Sequence, residues 1–417
     1  MSVVIPDVID RDLCEQLDAG DPLGWARERF VLDNSLIYLD GNSLGALPRG
    51  TVARIAHLVE HEWGQGLVRS WTDAEWMRSP LRVGGKVAQL LHAGEDEVLV
   101  TDTTSVDLFK LITAALVARP RRRVVLSEEE NFPTDLYVSQ GVTALLDARA
   151  MRRVPRESLM RALDKDVAIV ALTHVDYRTG AVHDMRALTD AAHRAGALVL
   201  WDLSHSAGAI PIDLNGARVD LAVGCGYKYL NGGPGAPAYL FVSTALQKEL
   251  RNPIQGWLGH AEPFNFEIDY RPAAGIRSWM SGSPPVVAIA ALEVAVDLAL
   301  EAGAELAGEK ARALTELFIR LVDARLARWN FDVASPRDAY ARGAQVSLRH
   351  ADGYPIVRAL IDRGVIGDFR LPDLCRFGFA PLYTRYVDVW DAVDHIVEVM
   401  QDGAYRRGEY LHRAYIT

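Results

Sequence analysis

Lys228 stands in Gly224-Cys225-Gly226-Tyr227-Lys228-Tyr229-Leu230-Asn231-Gly232-Gly233-Pro234-Gly235, just after an apolar stretch at 219–223. A second apolar stretch, 198–201, ends in Asp202. A lysine among glycines after a strand reaches a small molecule at close range. An aspartate at the end of a neighbouring strand binds that molecule's ring nitrogen. Together they predict a pyridoxal 5'-phosphate site, with Lys228 as Schiff-base lysine and Asp202 keeping the pyridine nitrogen protonated, so that the ring accepts electrons. Alone, Asp202 reads equally well as the N-cap of a helix from Ser204; Lys228 favours the cofactor role.

Other residues suit such a site, each with a plainer alternative. His205, one helical turn past Asp202, orients the aspartate or touches the cofactor, as a supporting group rather than a catalytic base. Thr103-Thr104-Ser105 opens a helix, where free N–H groups and hydroxyls cradle a phosphate; a simple N-cap looks the same. In Asn131-Phe132-Pro133-Thr134-Asp135 a phenylalanine is available to lie on the ring and Asp135 to hydrogen-bond near it, although spacing alone gives only a proline turn. Tyr227 offers a phosphate ligand or proton donor, or mere packing. Arg376, inside an apolar strand, is either a fork for a substrate carboxylate or half of an internal salt bridge.

These residues need a frame. Short apolar strands are expected at 98–101, 123–126, 167–172, 197–201, 219–223 and 238–242. The 123–126, 167–172, 197–201 and 219–223 runs have the composition of parallel strands buried on both faces. Leu108, Leu111, Ile112, Ala115 and Leu116 share one face of a helix. A strand at 35–40 meets a tight polar turn, and a helix follows over 49–63. After Pro284-Pro285 come helices at 286–302 and 307–328, then strands at 345–348 and 374–379 and helices at 354–363 and 386–402. The fold class is α/β: a large domain with a mostly parallel sheet and a smaller C-terminal α+β domain. The expected division is an N-terminal arm, 1–48, packed on the small domain; a cofactor domain, 49–298; and the small domain, 299–417.

The chain has 417 residues, 49% hydrophobic and 24% charged, with net charge −10. That balance argues against nucleic acid or an anionic membrane as main partner, and Arg121-Arg122-Arg123 reads as the start of a strand. Cys14, Cys225 and Cys375 are too scattered for a disulfide framework or a metal site. The first residues lack a basic-then-apolar signal, and no apolar run reaches the ~20 residues of a membrane span. A cytoplasmic enzyme acting on a small molecule, without metal, is expected.

Five segments together resemble the kynureninases: Tyr38-Leu39-Asp40-Gly41-Asn42-Ser43-Leu44-Gly45, Asn131 to Asp135, Trp201-Asp202-Leu203-Ser204-His205-Ser206-Ala207-Gly208, Gly226 to Gly235, and Gly256-Trp257-Leu258-Gly259-His260. The lysine segment alone is common to fold type I pyridoxal phosphate enzymes; the Gly-Asn-Ser-Leu-Gly, Phe-Pro-Thr-Asp and Gly-Trp-x-Gly-His runs are more specific. The resemblance implies the aspartate-aminotransferase fold and a homodimer whose subunits share each site. The implied activity is hydrolysis of an amino-acid substrate, L-kynurenine, to anthranilate and L-alanine in tryptophan breakdown. It also implies roles. Lys228 carries the cofactor, Thr104 and Ser105 meet its phosphate, and Phe132, Pro133, Thr134 and Asp135 stack on and bond the ring. Thr173, Asp202, His205 and Tyr227 complete the shell. Trp257 and Ser283 reach a cofactor across the dimer interface, Arg376 takes the substrate's α-carboxylate, and Asn42 and Ser43 lie on the substrate side. Two departures bear on substrate: Ser283 replaces a threonine or asparagine, and Gly64 a histidine of animal-type members. Plain kynurenine is expected, ahead of 3-hydroxykynurenine or a ring-modified kynurenine. Two rivals remain: a desulfurase-type enzyme, which needs a mobile cysteine, and a protein of this fold that has lost catalysis and serves as a binding or regulatory partner, against which the intact lysine, aspartate and arginine count.

Overall fold

The computed structural model describes residues 5–6, 8–147 and 149–412. Its central sheet has seven strands: β1 (Val98–Thr101), β2 (Val124–Glu128), β3 (Ala150–Val154), β4 (Val167–Thr173), β5 (Leu198–Asp202), β6 (Leu221–Cys225) and β7 (Ala238–Val242). In space they run β1-β7-β6-β5-β4-β2-β3. Strands β3, β2, β4, β5 and β6 are mutually parallel, while β7 is antiparallel to both neighbours.

Strands β2, β4, β5, β6 and β7 are buried at every position, which is why they read as continuous Val, Leu and Ala runs. Alternation then sends side chains to two cores. Val199 and Trp201 pack with helices Ser79–Leu90, Met185–Ala195 and Val286–Ala302. Leu198 and Leu200 pack with helices Thr104–Ala118 and Pro133–Leu145. Strands β5 and β6 end one and two residues later than the expected 201 and 223, so Asp202 and Cys225 are the last residues of their strands. Strand β3 was not expected; it is an edge strand with no fully buried residue, so it lacks the apolar signal. The helix expected at 49–63 is an α-helix, Arg49–His57, that loosens into a π-helical stretch, Leu58–Gly66.

A second sheet is antiparallel: β8 (Asp332–Val333), β9 (Gln345–Arg349), β10 (Asp368–Arg370) and β11 (Leu374–Gly378), in the order β8-β9-β11-β10. Its core joins Val346 and Phe377 to Phe318 of helix Ala304–Arg325, Val393 of helix Tyr386–Asp402, and Ile5, Cys14 and Leu39 from the start of the chain. The short strand Ile37–Tyr38 pairs in parallel with Val365–Ile366, which fixes the turn that follows it. Among the described residues no helix is long and apolar enough to cross a membrane, and no cluster of His, Cys, Asp and Glu could hold a metal ion.

Leu200 lies fully buried at the centre of β5. Leu200→Ala should destabilise the protein by about 2–5 kcal/mol, read as a lower denaturant midpoint; an unchanged midpoint would contradict burial of the sheet face covered by helices Thr104–Ala118 and Pro133–Leu145.

Candidate active site

The carboxyl ends of the parallel strands surround a cavity of about 180 Å³. Helix Thr104–Ala118 contributes Thr104 and Ser105, and the loop after β2 contributes Phe132, Thr134 and Asp135. Strand β4 and its exit give Thr173 and Val175, β5 and its exit give Asp202, Ser204 and His205, and the turn after β6 gives Tyr227 and Lys228. Thr173 and Asp202 are register partners on adjacent strands, so both side-chain positions open at one sheet edge.

Lys228 is only 9% exposed. Its Nζ lies 2.9 Å from His205 Nε2, and 5.7 and 5.9 Å from the centres of the Phe132 and Tyr227 rings. His205 Nδ1 is 3.1 Å from Gln345 Oε1 on β9. Burial, then the Lys228 charge, holds the His205 imidazole well below the ordinary histidine range. Burial raises the carboxyls of Asp135 and Asp202, each fully enclosed; the Asp202 charge adds to the rise at Asp135. Asp202 Oδ1 accepts the Ser204 N–H at 2.7 Å, but residues 204–209 form turns and no helix, so the N-cap alternative does not hold and the cavity position remains. The Tyr227 phenol is also pushed up, mainly by burial, and keeps its proton at neutral pH.

The loop carrying Phe132 is held by Asn131. Its Oδ1 accepts the N–H groups of Phe132 and Thr173 at 2.9 and 3.2 Å, and its Nδ2 donates to Ser127 Oγ at 3.0 Å. One buried amide therefore ties the aromatic face to the end of β4. Pro133 occupies the first turn of helix Pro133–Leu145, where its missing N–H costs nothing. On the opposite side the turn Asn42–Gly45 packs on the lysine segment. Gly45 N–H donates to Tyr227 C=O at 2.7 Å, and a Cβ at Gly45 would stand 2.3 Å from Lys228 O, so only glycine allows the approach.

Arg376 is 2% exposed and does not line the cavity. Its Nε donates to Asp368 Oδ1 at 2.8 Å, Nη2 donates to Asp368 Oδ2 and to Ser43 Oγ at 3.0 Å, and Nη1 donates to Tyr177 O at 2.6 Å. The internal salt bridge weighed from sequence is thus present, and Arg370 shares Asp368 at 2.7 Å. Asn42 is fully buried, and neither end of its amide has a hydrogen-bond partner. Trp257 and Ser283 stand apart. Trp257 borders a separate groove with His260, Phe266 and Tyr270, and Ser283 is exposed. Sequence reasoning passed over Gln345, Asp368, Val175 and Ser204. Gln345 and Asp368 carried no local signal beyond a polar residue in or beside a short strand.

The donor set fits pyridoxal phosphate. An amine is buried beside acidic groups; Asp135 Oδ1 is buried, lines the cavity and lacks a partner. A helix start, with two hydroxyl side chains, offers unpaired N–H groups and its positive end to a dianion.

The chain is similar to known proteins over nearly its whole length. Residues 308–396 match the family model for the kynureninase C-terminal domain. The kynureninase of Burkholderia mallei (strain SAVP1) is 47% identical over 407 residues, covering 96% of this chain and 98% of the relative. That of Pseudomonas fluorescens is 45% identical over 413 residues, covering 98% and 99%. Among solved structures, a cysteine desulfurase from Thermococcus onnurineus NA1 superposes with TM-score 0.77 at 17% identity, covering 91% of this chain and 98% of the other. A C-DES mutant with glycine covalently linked to its PLP cofactor superposes with TM-score 0.75 at 17% identity, covering 95% and 100%. At such identities these two structures speak to the fold, which is that of fold type I pyridoxal phosphate enzymes.

His174, next to Thr173, is buried with Nδ1 2.9 Å from Ser206 Oγ. Burial first, and His183 second, depress its pKa from 6.5 to about 3. Between those values the unfolded chain binds a proton that the folded chain refuses, so stability falls as pH drops from about 6.5 toward 3. In His174→Gln the loss of melting temperature between neutral and mildly acid buffer should shrink relative to the wild type; identical slopes would exclude His174 as its source.

Proposed function

The chain belongs to the kynureninase family, and from that membership and this site we propose that it hydrolyses L-kynurenine to anthranilate and L-alanine, using pyridoxal phosphate. The observation that carries the reading is the buried Lys228 amine, 2.9 Å from His205, in a cavity that Asp202 and Asp135 also line. Lys228 holds the cofactor covalently, and Asp202 takes the ring nitrogen. Thr104 and Ser105 bind the phosphate, Phe132 covers one face of the ring, and Thr134, Asp135, Thr173, His205 and Tyr227 complete its polar shell. When bound, the cofactor takes up the electron pair released at the substrate's carbon.

The rest is the work of side chains. Lys228, once freed, moves the proton at the substrate's Cα. A water adds its hydroxyl to the aryl carbonyl carbon, which leaves as the anthranilate carboxyl when its bond to Cβ breaks, and Tyr227, kept protonated by burial, gives a proton to Cβ. Arg376 binds the α-carboxylate, with Asn42 and Ser43 beside it. Asp368 grips the Nε and Nη2 edge of Arg376 and so fixes the plane of the fork, which orients the substrate.

We further propose a cytoplasmic homodimer acting in tryptophan breakdown. Trp257, 40% exposed and away from its own cavity, and exposed Ser283 are the residues we assign to the other subunit's site. We also propose the division into arm 1–48, cofactor domain 49–298 and small domain 299–417; the shared core of Ile5, Cys14 and Leu39 with Phe318 and Phe377 supports joining the arm to the small domain. A desulfurase reading is disfavoured because Cys14, Cys225 and Cys375 are all buried.

Borohydride reduction of the holoenzyme should add the cofactor's mass to the peptide carrying Lys228. Lys228→Ala should lose both that label and turnover, by orders of magnitude; a label on another lysine would overturn the assignment. Arg376→Lys keeps the charge and loses the fork, so kcat/KM should fall about 10–100-fold, mostly through KM, and a change in kcat alone would speak against carboxylate binding. Rates with kynurenine, 3-hydroxykynurenine and ring-methylated kynurenine, measured side by side, should favour the first; no cleavage of any would refute the activity.

A further inference from the structure

Gln345 is 1% exposed on β9, and its amide has one possible orientation. Its Nε2 faces two backbone carbonyls, Tyr177 O at 3.0 Å and Asp176 O at 3.4 Å, which can only accept. Its other end, Oε1, faces His205 Nδ1 at 3.1 Å. An amide oxygen also only accepts, so Nδ1 must carry the proton. The frame is rigid: Val182 N–H donates to Ala341 O at 2.9 Å and Gly343 N–H to Gly180 O at 2.8 Å, which docks the 175–182 hairpin on the start of β9.

We propose that Gln345 is a positioning residue that fixes the tautomer of His205, keeping the Nε2 lone pair on the Lys228 amine. With the proton on Nδ1, Nε2 accepts a hydrogen bond from Nζ at 2.9 Å. The opposite tautomer would set an N–H against the Lys228 ammonium, which has no lone pair to accept it, and the 2.9 Å contact would be lost. A second proton on the ring is opposed by enclosure and by Lys228, Arg376 and Arg370, all of which disfavour the imidazolium. The ring therefore stays neutral, and the choice between its two neutral forms falls to Gln345. This inference rests on the reading of Lys228 as the cofactor's lysine, yet its first readout needs no substrate.

The test is ¹⁵N NMR of histidine-labelled enzyme at neutral pH, with and without pyridoxal phosphate, the His205 signals being assigned by their loss in His205→Asn. The wild type without cofactor should show a protonated Nδ1 and an unprotonated Nε2. Gln345→Leu, which has no acceptor, should lose that pattern and hold pyridoxal phosphate at least threefold more weakly by equilibrium dialysis. Gln345→Glu, which keeps an acceptor, should retain the proton on Nδ1. A protonated Nε2 in the neutral ring of the wild type overturns the proposal, even if Gln345→Leu fails to fold. A wild-type pattern and wild-type cofactor affinity in a folded Gln345→Leu overturn it as well. The expected tautomer without any cleavage of kynurenine would sink the proposed activity alone.

Discussion

The structure depends on keeping one amine buried on the wall of a cavity. Lys228 cannot sit in a dry core without partners, because an uncompensated ammonium there is costly. It cannot be left in bulk water either, since it would then lack a fixed direction. The parallel sheet answers both demands. At the carboxyl ends of β4, β5 and β6 the chain leaves the sheet, and each exit delivers polar groups to one crevice. Asp202 and Asp135 bring acidic groups whose ionisation burial resists, and His205 brings a neutral acceptor. The site is thus a set of groups that disfavour each other's solitary charges and become settled only together.

The second sheet is part of that balance. Its strand β9 reaches His205 through Gln345, and β11 presents Arg376 to the turn carrying Ser43, which lies against Tyr227 through Gly45. The start of the chain and its last third are therefore wired to the lysine by hydrogen bonds as well as by their shared apolar core. Displacing β9 or β10 would alter the histidine and the arginine fork together. That coupling is what a site needs if cofactor and substrate carboxylate are to be held at a constant mutual angle.

Much of this was legible in the sequence because the features are local. A doubly buried strand must be a run of apolar residues, and the exits at Asp202 and Lys228 are marked by the first polar residue after such runs. Helix starts announce themselves by Thr103 and Pro133. Strand β3 escaped because an exposed edge strand needs no apolar face, and Arg152 and Arg153 break any apolar run. Gln345 escaped for a different reason. Its partner His205 is 140 positions away, and nothing in a lone glutamine tells whether it caps, packs or directs a histidine. Asp368 depends likewise on the register that sets it opposite Arg376. The spacing of residues in the chain carries strand and turn chemistry; it does not carry contacts made by folding one sheet against another.

The fold also shows why architecture alone does not name the reaction. A cysteine desulfurase superposes on nearly the whole chain at 17% identity. With the architecture common to both, the chemistry has to lie in the side chains that reach the cavity. Here no cysteine is in a position to do so, since Cys225 is buried beneath Ser204 and Cys375 is buried against Gly353. What does face the cavity is a phenol that burial keeps protonated, while the arginine fork is held by Asp368 outside the cavity wall. The reaction therefore has to be argued from the side chains set on this fold, not from the fold itself.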